Sequence, residues 1–326
     1  MRDAVKRRCE LLIQNRDTMN EAFKWGSSLL NLSAAYTITS KEKRADVETL
    51  KSCKDLIKER TGAFSNFRGN SNCMVTAMLT VSQNAERLLE DGLQVHEMLK
   101  EKLRDSAYLP MAAMSVARLT EKERYEEIVD RTKEIYDRVK KEHPFLTSAE
   151  DCSFCTLLAL SDKSVDELVT EAERCYRFLT EHTRHPKNSV QSLSHVLAFY
   201  DGTAEEKCEK VIELYEILKA NGLKYGSGYE LPMLGVLAMT NREYEVLAEE
   251  LAEVSTWLSK QKGFGFWGYV TLKQRLMLAG MLLQEEENEV SETALLQGSI
   301  ATVVAQQTAM LAVMMSSTAA ATAANS

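Results

Sequence analysis

Three stretches of this chain carry residue types that could do chemistry. Cys152-Ser153-Phe154-Cys155 has the two-residue spacing of a redox dithiol or of half a zinc site. A zinc site needs a second pair, and none is present. The two thiols also fall at the start of an apolar helix, where cysteine packs as a small hydrophobe. His195, in Gln191-Ser192-Leu193-Ser194-His195-Val196-Leu197, could serve as a general base if an acid approached it. Its apolar helical setting suits a satisfied core or interface histidine better. Gly263-Phe264-Gly265-Phe266-Trp267-Gly268 has the glycine density of a phosphate loop. It follows a helix rather than a strand and lacks a Gly-Lys-Ser/Thr ending, so it reads as a flexible connection with buried aromatics. There is no serine nucleophile elbow, no His-Glu-x-x-His and no acidic or histidine cluster at metal-ligand spacing. No catalytic residue, metal or cofactor is therefore assigned, and the chain reads as a binding protein rather than an enzyme.

The elements that would position such residues are repeats. An alanine near the end of each apolar, small-residue-rich helix falls at Ala35, Ala77, Ala117, Ala159, Ala198, Ala238 and Ala279, in steps of 42, 40, 42, 39, 40 and 41 residues. Polar turns follow, such as Ser161-Asp162-Lys163-Ser164, Asp201-Gly202-Thr203 and Thr240-Asn241-Arg242, each able to cap the next helix. That second helix is amphipathic. Leu168, Ala172, Cys175, Tyr176 and Leu179 recur at helical spacing, and Lys and Glu fill the other face. A breaker ends it, at Gly62, Pro144, Pro186, Gly222 or Gly263.

The expected fold is all-α: about seven helical hairpins of ~40 residues stacked as an α-solenoid or superhelix, with a closed α/α toroid as the alternative. Isolated hairpins cannot bury their apolar stripes, so neighbours must cover them. The open stack is preferred because nothing in the sequence brings the ends together. Residues 1–326 form one helical-repeat domain in this reading. Within it, 1–17 are an extra amino-terminal helix, 18–291 the repeats, 292–315 a capping or oligomerising helix, and 316–326 a frayed tail.

Connections between hairpins are long and hold ten of the 23 aromatic residues, including Phe64, Phe67, Tyr229, Phe266 and Trp267. Two readings stay open: staples that pack each connection onto the next helix, or a binding rim. The candidate ligand- or partner-binding residues are Arg68, Asn70, Gln191, His195, Tyr229, Glu230, Trp267 and Arg275, because arginine beside rigid aromatics is a common recognition composition.

A formal net charge of −8 and a pI near 5.4 argue against nucleic-acid binding. Seven scattered cysteines and an amino terminus without an apolar core fit a reducing cytoplasm. The segment 293–326 carries no charged residue and is rich in Ala, Thr, Met and Gln; polar interruptions and missing anchors make membrane contact an unfavoured reading.

Together, Phe64-Ser65-Asn66-Phe67-Arg68-Gly69-Asn70, Asn188 to His195, Tyr229-Glu230-Leu231-Pro232 and Lys262 to Trp267 resemble the bacterial domain of unknown function 4003 family, over roughly residues 15 to 315. The resemblance implies a cytoplasmic bacterial protein and brings no activity, cofactor or catalytic residue. The expected function is a helical-repeat binding or scaffolding protein whose aromatic edge engages a peptide, protein or small ligand. The alternatives are an enzyme with a polar pocket around His195 in a closed ring, and a homo-oligomer organised by the carboxyl-terminal helix.

Overall fold

The computed structural model describes residues 1–284 and 303–304. Among these it holds fourteen α-helices, three short 3-10 turns and no strand. The helices alternate in kind. α2 (Ser28–Thr39), α4 (Asn72–Val81), α6 (Leu109–Leu119), α8 (Cys152–Ala159), α10 (Lys187–Leu197), α12 (Leu231–Ala238) and α14 (Leu272–Gln284) are short and apolar. Every residue of α8 and α12 is buried. α1 (Asp3–Ala22), α3 (Val47–Arg60), α5 (Ala85–Lys102), α7 (Tyr125–Glu142), α9 (Val165–His182), α11 (Ala204–Ala220) and α13 (Tyr244–Ser259) are longer and amphipathic, with one face in solvent.

Each even helix packs on the even helices before and after it, and the odd helices form a second, outer succession. The first and last described helices then meet. α1 packs on both α13 and α14, Arg8 Nη1 donates to the Leu282 carbonyl at 3.0 Å, and the Tyr36 hydroxyl donates to the Met281 carbonyl at 3.4 Å. Arg16 Nη1 donates to the Lys262 carbonyl at 2.7 Å, with its guanidinium over the Phe264 ring. The all-α hairpin fold is as expected, but its arrangement is the closed ring rather than the open stack. The reason lies in α1. Instead of standing outside the repeats, it fills the outer-layer place between α13 and α3 and completes a seventh pair. Alanine spacing is the same in an open and a closed array, so it could not reveal this.

Small residues on the inner helices permit their close approach. A Cβ at Gly235 would lie 2.4 Å from Leu193 Cδ1, and one at Gly280 2.7 Å from Leu237 Cδ1. The polar turns mostly cap as expected: Ser164 and Thr203 form capping boxes with Glu167 and Glu206. The turn before α13 does not, since its N-cap Glu243 makes no side-chain bond. The expected carboxyl-terminal helix lies outside the described residues, apart from Val303 and Val304, which are buried in the same core.

Candidate functional site

All outer helices run in one direction, so all their carboxyl ends reach one edge of the ring. The seven connections from outer to inner helix, 23–27, 61–71, 103–108, 143–151, 183–186, 221–230 and 260–271, lie there. With the last four residues of each outer helix, they hold 14 Lys and Arg against nine Asp and Glu. The opposite edge, counted as the inner-to-outer turns with the first four residues of each following helix, holds nine against 16. Helix dipoles account for this sorting: bases favour carboxyl ends and acids amino ends. Parallel outer helices turn that local preference into two oppositely charged edges.

The basic edge also carries the large exposed apolar side chains. Trp25, Phe64, Phe145, Phe266 and Trp267 are 101%, 103%, 98%, 91% and 94% exposed. Phe266 and Trp267 meet edge to face at 5.1 Å. Other aromatics of the same connections are buried staples: Phe67 packs on His96 with ring centroids 5.1 Å apart, and Phe264, Tyr108 and Tyr225 are in the core. The connections thus divide residue by residue between staple and exposed tip. The glycine-rich segment is likewise split, with Phe264 inside and Phe266 and Trp267 outside, not all buried as its sequence suggests. Trp25 carries no signal in a repeat reading that leaves α1 aside. Once the ring closes, it sits on the connection between those bearing Phe266 and Trp267 on one side and Phe64 on the other.

The other candidate residues are distributed around this edge. Arg68 Nε donates to Thr61 Oγ1 at 3.1 Å, and its Nη2 donates to the Lys58 and Thr61 carbonyls, so its guanidinium caps α3. Asn70 is exposed beside it. Arg275 donates to the Phe264 carbonyl at 2.6 Å and to Ser255 Oγ at 3.1 Å, pinning the last connection. Tyr229 is half-buried and its hydroxyl accepts from Gln274 Nε2 at 3.3 Å. Glu230 is buried, and burial raises its carboxyl above the usual range; Gly226 leaves room for it, since a Cβ there would lie 2.2 Å from Glu230 Oε2.

Gln191 and His195 are buried in α10. Gln191 Nε2 donates to Thr147 Oγ1 at 2.9 Å. His195 packs near the Phe154 ring, its Nδ1 has no partner among the described residues, and burial pulls its pKa down to about 4. The cavity beside it, lined also by His143 and Glu173, has a volume of about 10 Å³. That is room for about one water and for no substrate. Nearby His143 Nε2 pairs with Glu173 Oε2 at 2.7 Å. Cys152 and Cys155 are buried, with thiols pushed up by burial, Cys152 to about 12. Among the described residues no group of three His, Cys, Asp or Glu could hold a metal ion, and no helix is long and apolar enough to cross a membrane.

The edge thus combines exposed aromatic tips, braced connections and basic surroundings. Known proteins add kinship but no activity. The chain is 24% identical over 311 residues to the uncharacterised protein YeaA of Bacillus subtilis (strain 168), covering 91% of each chain. No solved structure matches it. The family model for proteins of unknown function, DUF4003, matches residues 15–312, and the chain belongs to that family.

Proposed function

We propose that this protein is a docking ring that engages another macromolecule through its aromatic, basic edge. The observation that carries the reading is the concentration of five almost wholly exposed Trp and Phe side chains on one edge. Exposed aromatic area has a standing free-energy cost in water, and burial of such a side chain against a partner stabilises a complex by about 1.5–3 kcal/mol. Lys and Arg around the tips favour an acidic partner surface and raise its association rate. Seven free, buried cysteines suit a reducing compartment such as the cytoplasm.

The test replaces Trp25, Phe64, Phe266 and Trp267 together by serine in the native chain and compares what each form retains on crosslinking in cells. The proposal expects a specific acidic protein partner with the unaltered chain and its loss with the variant. An identical set of partners for both forms refutes it. A second reading has its own support. The tips stand on separate connections, so a protein partner must offer several matched pockets, whereas the interface of an anionic bilayer accepts Trp and Phe anywhere. Co-sedimentation with phosphatidylglycerol vesicles, abolished by the same four substitutions and by salt, would establish that reading instead.

A further inference from the structure

The opposite edge holds two open clefts of similar size, and their cations differ in what they already do. The first, about 490 Å³, lies between α9 and α11 and is lined by Lys163 and Lys207. Both are engaged with the carboxyl end of α10. Lys163 Nζ donates to the Phe199 and Tyr200 carbonyls at 3.1 Å, while Lys207 Nζ donates to Tyr200 and pairs with Glu171 at 2.6 Å. The same device recurs around the edge. Arg131 donates to the carbonyls of Ala159, Ser161 and Lys163 beyond α8, and Lys43 to that of Val81 at the end of α4. A basic side chain thus satisfies carbonyls that an inner helix leaves open.

The second cleft, about 470 Å³, lies where α6 ends. No described side chain donates to the last carbonyls of α6. Instead Arg118, in its last turn, lines the cleft half-buried and has no hydrogen bond or ion pair with another described residue. Arg87 and Lys122 line the same cleft and share one carboxylate, Asp91, at 3.6 and 3.9 Å, beyond hydrogen-bond length. Glu121 is the other acid in the lining. Tyr125 is buried there, and burial with nearby Asp91 keeps its phenol protonated and able to donate. Burial also lowers the pKa of Arg118, with no acid near enough to oppose that effect. A half-buried guanidinium facing the cleft has five donors to satisfy, and an anion does so most completely.

We infer that this cleft binds a small anion bearing phosphate or carboxylate groups, anchored by Arg118 with Arg87, Lys122 and the Tyr125 hydroxyl around it. The cleft is of the size that small-molecule ligands fill. The inference concerns the edge opposite the aromatics and stands whether or not those dock a partner.

Isothermal titration calorimetry with pyrophosphate and with citrate tests it on the full chain. At least one probe binds the unaltered protein, and the tighter of the two identifies the preferred anionic group. Arg118→Gln weakens that binding about tenfold or more, and Arg118→Lys falls between, because lysine keeps the charge without the planar fork. Lys163→Gln, in the first cleft, leaves binding unchanged. If Arg118→Gln fails to fold by circular dichroism, the Arg87→Gln/Lys122→Gln pair carries the same expectation. Absence of binding by both probes at millimolar concentration overturns the inference. So does undiminished binding by the folded cleft variants, or an equal loss in Lys163→Gln.

Discussion

The two edges of this ring use the same residue types for different ends. On the acidic edge, Lys43, Arg131, Lys163 and Lys207 reach inward to carbonyls beyond the inner helices, so charge there serves the fold. On the basic edge, Arg68 and Arg275 brace the connections while Trp25, Phe64, Phe145, Phe266 and Trp267 project into solvent. Side chains that hold the ring and side chains left in solvent are therefore adjacent but separable. Arginine beside an aromatic is a recognition composition only when its donors are free.

Removing α1 tests the frame that both edges share, and carries the largest expected effect. A chain lacking residues 1–22 exposes the facing sides of α13, α14, α2 and α3, and loses its cooperative thermal transition. A sharp transition near that of the full chain would show that closure contributes little. Within the acidic edge, Lys207→Met leaves the half-buried Glu171 without its ion-pair partner and costs about 2 kcal/mol in denaturant unfolding. On the basic edge, Arg68→Ala removes the cap of α3 and costs about 1–2 kcal/mol by the same measurement.

Asp151 and His195 give the fold opposite dependences on pH. Burial raises the Asp151 carboxyl to about 7, so the folded chain keeps a proton that the unfolded chain releases near pH 4. Its contribution to stability is present below about pH 4 and is lost as pH rises towards 7, by at most about 1.4 kcal/mol per pH unit. His195 acts oppositely: with its pKa down at about 4, stability is lost as pH falls from 6.5 to 4. Asp151→Asn removes the first slope and leaves the second, so the variant's stability rises with pH over 4 to 6.5 more steeply than that of the unaltered chain. Parallel profiles would show that Asp151 does not titrate in this window. The smallest stability effect belongs to the exposed tips. Trp25→Ser, Phe64→Ser and Trp267→Ser each change unfolding free energy by less than about 0.5 kcal/mol, because these side chains are almost wholly exposed. A larger loss would mean that they hold the fold after all.

Much of this was legible before any coordinates. Helix kind follows from periodicity and composition, and α8, α10 and α12 end close to the alanines used to align them. The aromatic connections were legible as a group, but their division into staple and tip was not. Phe64 and Phe67 are three residues apart with the same chemistry, and only packing against His96 puts the second inside. Arg68 and Arg275 likewise look like recognition residues until the carbonyls they cap are in view. The cleft at Arg118 left no local signature, since its residues come from four helices and the turns between them, spread over residues 41 to 125.

The sequence by itself determined the helices, their alternation between apolar and amphipathic, and the basic carboxyl ends of the outer set, because these depend on contacts a few residues apart. Tertiary structure alone decided that the array closes, that α1 supplies the seventh outer helix, and which polar groups keep unused donors. Closure depends on a small rotation per hairpin accumulated around the whole ring, and donor satisfaction depends on carbonyls about thirty residues away; neither is encoded in any short window of sequence.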